Sequence, residues 1–427
     1  MLRNKKVFMA VSLALSLIIL PLSGCGKKTN DKTQAKDNKV SEISIAVRAG
    51  AMADAVEVVA KEYESKKGVK VKVNSMPYSS LKEKVVLDVR NKSGAFDLVM
   101  IDDPWMPEFA EGKLLAPLDS YFKEGVDKDF VQKCADLCRH PYKTGNLYAL
   151  PLIGNVQMFF YRDDLLKKHN LKAPKTWDEV VNIAETILKN EKDISGYVLR
   201  GQRGNPIVTN YIPMFWAYGG KVLDENNKPH VNSEAGIKAM ETYIKLKNLG
   251  PKGVETFDSD QIATTLTQGK VAMTIAWPSW VATVDNPKSS KVVNKVGFSA
   301  VPGKVSFDTA VIGNWLLGIP NSSLNKDAAV DFLKYITSKE SQKTMALQGG
   351  GVPTRTSVYK DEELQGKYRH YEAQLDALTH SAARPRTPYW SQIEDVWGLY
   401  LSEILSGKMD IKEGLDKANE AIEKILQ

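Results

Sequence analysis

The chain has 427 residues, with 58 basic against 51 acidic side chains, and its body is too long for one hydrophobic core. Single cores stop growing near ~250–300 residues, so two lobes are expected. Three basic residues fall in positions 1–24 and five basic against two acidic in 25–41, which leaves 50 basic and 49 acidic from Glu42 onward. A body balanced to +1 lacks the basic face that nucleic acid requires.

At the amino end, Arg3, Lys5 and Lys6 precede an uncharged apolar run from Val7 to Leu22. That run is shorter than the roughly 20 residues of a membrane span and reads as a signal peptide. Leu22-Ser23-Gly24-Cys25 resembles the bacterial lipobox, which makes Cys25 the expected lipid-bearing first residue of the mature chain. An uncleaved anchor, or an ordinary signal peptide with an accidental cysteine, is the alternative. Residues 26–41 are polar and charged and read as a flexible tether.

Cys134 and Cys138 are the only other cysteines. The exported compartment permits a disulfide, but a bridge across one regular helical turn is strained, so a disulfide and two free thiols both stay open. His140 stands alone beside them, which gives no metal site.

From Ile43 the elements alternate. Ile43–Val47 is a short apolar strand, and apolar residues at 52, 55, 56, 59 and 63 mark an amphipathic helix. Val69, Val71 and Val73 alternate with lysines as a half-exposed strand, and Ser79 or Ser80 is the expected cap of a helix carrying Leu81, Val85, Val86 and Val89. Phe96–Ile101 is a third strand. This βαβαβ order favours a parallel sheet, whose ligands bind outside the carboxyl ends of the strands. Those ends carry Arg48, Tyr78 and Asp102-Asp103-Pro104-Trp105. A carboxylate accepting from two hydroxyls, a donating guanidinium and an indole or phenol face together suit a polyhydroxylated solute. The bland reading of Asp102-Asp103-Pro104 is a turn.

Asp97-Leu98-Val99-Met100, Asp103-Pro104-Trp105, Pro107-Glu108-Phe109-Ala110 and Leu114–Asp119 resemble segments of the extracellular solute-binding proteins of carbohydrate ABC importers. The resemblance continues through Leu147–Pro151, Phe160–Leu165, Pro174–Glu179, Gly269–Met273 and Gly349–Arg355. It implies an α/β fold of two periplasmic-binding-protein-like lobes (type II), each a mainly parallel sheet flanked by helices. The solute sits in the cleft and the lobes close on it by a hinge. The expected division is a signal peptide over 1–24, a lipidated tether over 25–41, a first lobe of 42–150 plus about 286–348, and a second of 151–285 plus about 349–427. The implied partners are a carbohydrate or polyol, the membrane-spanning subunits of an importer, and the membrane through Cys25. A monomer is expected, without nucleic acid or cofactor.

Aromatic and polar residues near strand ends complete the candidate cleft. Trp277 and Trp280 follow an apolar strand, Trp216 lies in a helix closed by Gly219-Gly220, and Asn314 and Trp315 interrupt a strand. Core packing is the alternative for each indole, and the expected one for Trp390 and Trp397. Trp177 belongs to a capping box, with Thr176 as N-cap and Glu179 three residues on, and reads as packing. Asn155 and Gln157 follow the first crossover. Arg355 follows the glycine run, and Arg384 lies beside Arg386 in a proline-rich loop; for both, an ion pair between lobes or a solvated loop charge is the competing reading. No nucleophile elbow, phosphate loop, dinucleotide fingerprint or His-Glu-x-x-His is present. The rival to a transport receptor is an exported carbohydrate-active hydrolase, and within the binding class a non-sugar receptor.

Overall fold

The computed structural model describes residues 40–348 and 352–427. The signal peptide, the tether, Cys25 and the glycine run at 349–351 lie outside the described residues. Among the described residues no helix is long and apolar enough to cross a membrane.

Strand β1 (Glu42–Arg48), helix α1 (Ala51–Lys67), β2 (Lys70–Met76), α2 (Tyr78–Asn91) and β3 (Leu98–Asp102) follow the expected alternation. The lysine-and-valine alternation puts β2 at the sheet edge, where charged side chains oppose pairing with another chain. All of β3 is buried, as its unbroken apolar run requires of a central strand. Helix α2 starts earlier than expected. Pro77 occupies the N-cap position, and Ser79 and Ser80 fall inside the first turn. Proline there fixes the turn through its own φ without a capping hydroxyl.

Further along come β4 (Ala149–Ile153), β5 (Met158–Arg162), α3 (Trp177–Asn190), β6 (Ser195–Tyr197), α4 (Asn205–Ala217), α5 (Glu234–Asn248) and β7 (Val271–Ala276). After them are β8 (Val296–Ser299), β9 (Ala310–Val311), β10 (Trp315–Gly318), β11 (Ser381–Ala382), α6 (Trp390–Leu405) and α7 (Ile411–Leu426). The capping box at Thr176 and Glu179 is formed, with Trp177 fully buried beneath it.

Two sheets result, in the orders β2-β1-β3-β10-β4 and β8-β5-β7-β6. In each, one strand runs against the others: β10 in the first and β5 in the second. Both reversed strands begin directly after the chain has passed between sheets. The carboxyl ends of the remaining strands therefore face one another across the connection. Residues 154–157 link β4 to β5, and a bridge between Val156 and Ile312 lays the second passage beside the first. Parallel β9 and β11 add a third.

These passages fall later than the expected boundaries. Strand β8 pairs with β5 and belongs to the second sheet, so sheet membership changes between Ser299 and Trp315 rather than near 286. Residues 352–354 still bond the first lobe, through Gly154 N to Val352 O and Val131 N to Thr354 O, and the third passage comes at 381–383 rather than near 349. The chain leaves the first lobe only after a further set of short helices, rather than at the glycine run.

Candidate functional site

Asp102 ends β3 and Asp103 opens the next turn, so both carboxylates stand at the carboxyl edge of the first sheet. Arg384, just beyond the third passage, places Nη2 3.0 Å from Asp102 Oδ1 and 3.0 Å from Asp103 Oδ2. Arg386 Nη1 donates to Asp103 O at 2.7 Å and lies 3.3 Å from Oδ1. Tyr78 donates its hydroxyl to Asp102 Oδ2 at 3.1 Å.

The cluster is buried, and Asp103 has no exposure at all. Burial lifts the Asp103 carboxyl to about 6, with Arg384 and Arg386 holding it back. Burial disfavours charge on Arg384 as well, but Asp102 and Asp103 outweigh it and keep the guanidinium ionised. Tyr78 is raised well above its ordinary value by burial and by Asp102. Removing one member would leave the others charged without compensation, at a cost of about 3–5 kcal/mol.

The remaining candidates divide. Arg48 ends β1, half-buried, with its guanidinium 5.9 Å from the Trp315 ring. Trp105 and Trp315 reach the same edge but pack on Tyr78 and on each other, with ring centroids 5.3–5.9 Å apart, and form its buried wall rather than an open platform. Asn314 accepts from Asp103 N at 3.0 Å through its carbonyl, and its buried side chain lies against the Cys134 thiol. Asn155 is buried in the first passage, its Oδ1 without a partner among the described residues. Gln157 donates to Thr209 O at 2.7 Å and accepts from Val311 N at 3.3 Å, so it ties the passages to α4 instead of facing a solute.

From the second sheet comes Trp277, half-buried at the end of β7. A Cβ at Gly313 would approach its ring to 2.9 Å, so glycine there lets the indole lie against the second passage, next to Asn314. Trp280, also half-buried, follows in the next turn.

Two candidates lie elsewhere. Trp216, in the last turn of α4, lines a cleft of ≈ 480 Å³ with Asp224, Asp308, Thr309 and Arg386, and Arg386 links that cleft to the charge cluster. Arg355 is held on the flank of the first lobe by Thr337 O at 2.7 Å, Asp127 at 2.6 Å and Asp129 at 3.3 Å, with Phe130 4.0 Å below it. It forms an ion pair within the first lobe, not the pair between lobes that was its competing reading. Trp390 and Trp397 are core residues, as expected. Cys134 and Cys138 are buried free thiols, and burial pushes Cys134 up to about 12.

Beyond the expected candidates, this region also holds Arg386, Glu394, Asn205, Lys82 and Ser391. Glu394 is buried in α6 and accepts from Asn205 Nδ2 at 2.9 Å. Lys82 of α2 donates to Glu108 at 2.6 Å and across to Ser391 of α6 at 2.8 Å. Gly398, a glycine in mid-helix one turn after Glu394, was the available signal, since such a residue marks a close backbone approach.

Two sheet edges joined by three adjacent passages, with a buried charge cluster on one side and indoles on the other, define a two-lobe solute receptor. Residues 49–343 match the model of the bacterial extracellular solute-binding proteins, and the chain belongs to that family. It is 28% identical over 377 residues to a probable amino-acid ABC transporter periplasmic-binding protein of Sinorhizobium fredii, covering 85% of this chain and 83% of the relative. Among solved structures, an ABC transporter solute-binding protein of Agrobacterium radiobacter in complex with ribitol superposes with a TM-score of 0.83 at 25% identity, over 90% of this chain and 98% of the other. The maltose-bound MalE3 of T. maritima gives 0.81 at 26% identity, over 90% and 100%. The chain is a substrate-binding component of ABC transport, acting outside the cytoplasm.

Proposed function

We propose that this protein captures a neutral sugar or polyol between its two sheet edges and delivers it, unchanged, to the membrane-spanning subunits of an ABC importer. The observation that carries the reading is the Asp102–Arg384–Asp103 cluster at the strand ends, with Trp277 on the opposing edge. Charge-assisted groups of this kind bond hydroxyls, and an indole face covers the C–H surface of a sugar. The ribitol and maltose complexes of similar proteins support the same solute class. The ligand contacts assigned to Arg48, Tyr78, Asp102, Asn155, Trp277, Trp280, Asn314 and Arg384 belong to this proposal. Lipidation at Cys25, the flexible tether and a monomeric state complete it.

A second reading, the exported hydrolase, draws on the raised carboxyls of Asp103 and Glu394, since glycosidases use such a group as general acid. Asp103 is sealed behind two arginines and cannot reach a glycosidic oxygen. Calorimetric titration with ribitol, mannitol, maltose and a panel of amino acids, followed by recovery of the bound solute, separates the alternatives. Saturable binding of a sugar or polyol recovered intact supports the receptor. Release of reducing ends overturns it in favour of the hydrolase, and binding confined to an amino acid overturns the solute class.

A further inference from the structure

Helix α6 carries Gly398 in its interior, where glycine costs about 0.5–1 kcal/mol relative to alanine. A Cβ at that position would stand 2.8 Å from Gly204 N and Cα, so α6 meets the start of α4 backbone to backbone. Glu394 lies four residues earlier on the same helical face. Its carboxylate therefore reaches the first turn of α4, where Asn205 Nδ2 donates to Oε1 and the amino end of the helix favours negative charge. Three residues before Glu394, Ser391 takes the bond from Lys82 of the first lobe, so this face of α6 is applied directly to the first sheet's edge.

Only one oxygen of Glu394 is engaged among the described residues. Tyr78 and Asp102 of the first lobe, Arg384 beyond the third passage and Arg200 of the second lobe are the ionisable groups around it. Arg384 is engaged only through Nη2, and its Nε has no acceptor among the described residues. Open hydrogen-bonding capacity on Glu394 and on Arg384 thus lies in one buried cluster, contributed by opposite sides of the cleft.

We infer that Glu394, oriented by Asn205, is the second lobe's hydroxyl acceptor and the residue that sets charge selectivity, forming with Arg384 and Asp102 a carboxylate–guanidinium–carboxylate row for a solute with adjacent hydroxyls. This rests on the receptor reading above. A neutral alditol or sugar satisfies the row with two hydroxyl donors and one acceptor. A solute ending in a carboxylate meets Glu394 and Asp102 and is rejected, and one lacking a hydroxyl leaves a buried group unpaired. Asn205 is a positioning residue, acting through Glu394.

Burial pushes the Glu394 carboxyl up to about 7, against the pull of Arg384. A donated hydroxyl favours the ionised form, so affinity rises with pH through that value. Asp103 is also raised, to about 6, so the part of the profile that Glu394→Gln removes is the part that reports on Glu394.

The test is calorimetric titration of the full protein and of Glu394→Gln and Asn205→Ala with ribitol, mannitol, maltose and gluconate between pH 6.5 and 8.5. The wild type is expected to bind at least one neutral solute, severalfold more tightly at pH 8.5 than at pH 6.5, and to reject gluconate. Glu394→Gln, which keeps an oxygen for Asn205, is expected to bind that solute at least tenfold more weakly at pH 8.5, with a flat profile and a smaller gap to gluconate. Asn205→Ala is expected to lose less and to keep the pH dependence. A Glu394→Gln variant with wild-type affinity and profile overturns this inference alone. A wild type that binds none of the neutral solutes overturns the receptor reading and this inference together.

Discussion

Arg384 and Arg355 are both buried arginines with two aspartate partners, and they serve opposite ends. Arg355 bonds a backbone carbonyl, Asp127 and Asp129 and lies over a phenyl face, all from its own lobe and away from the strand ends. Arg384 lies where the chain passes between sheets, and its partners are the last residue of β3 and the next one. On the proposed function, the same residue types make a staple in one place and a binding group in the other, because only the second stands at the carboxyl edge of a parallel sheet.

The largest effect is expected from Arg384→Met. It strands Asp102 and Asp103 in a buried site, so unfolding in denaturant should show a loss of about 3–5 kcal/mol, and calorimetry should show solute binding abolished. Arg355→Met should lose about 1–3 kcal/mol, the cost of unpaired buried groups, with solute affinity unchanged. Equal binding defects in both variants would erase the distinction between staple and site. Trp277→Ala sharpens it from the opposite edge. Binding is expected to weaken at least tenfold, about 1.4 kcal/mol, with the melting temperature of the unliganded protein nearly unchanged.

Two pH effects of opposite sign follow from burial. Glu394 is raised from 4.5 to about 7, so the folded state holds its proton more tightly. Its stabilising contribution is present below the lower value and lost as pH rises through the upper one. His370, buried among Phe298, Tyr368 and Tyr371, is lowered from 6.5 to about 4 by burial and by Arg369. The unfolded chain then binds more protons, and stability is lost as pH falls from 6.5 toward 4. Melting curves of Glu394→Gln and His370→Gln against the wild type should each remove the corresponding slope. The smallest change is expected for Lys82→Met, which deletes the bond to Ser391 at the rim and should raise the solute dissociation rate a few-fold in stopped-flow fluorescence.

The first lobe's edge was legible because three apolar strands separated by amphipathic helices leave little choice of topology, and their ends name Arg48, Tyr78 and Asp102. Less could be read where packing over long sequence distances decides. Trp105 and Trp315 lie at the right edge, yet they are spent on each other, which strand position alone does not reveal. The second passage falls later than the sequence suggests because Val296–Ser299, a four-residue strand containing glycine, carries little periodic signal. Glu394 was invisible as a cleft residue, since its orientation depends on Asn205, 189 positions away, and on a glycine contact between two helices.

Amide hydrogen exchange with and without a saturating solute, followed peptide by peptide, tests the account most directly. Binding at the paired sheet edges should protect the peptides around Asp102–Trp105, Trp277–Trp280 and Arg384–Glu394, while those around Asp127–Phe130 and Arg355 exchange as before. Protection confined to Trp216–Asp224 and Ser306–Thr309 would move the solute to the part of the cleft beside α4, and would contradict the assignment of the Asp102–Arg384 cluster as its site.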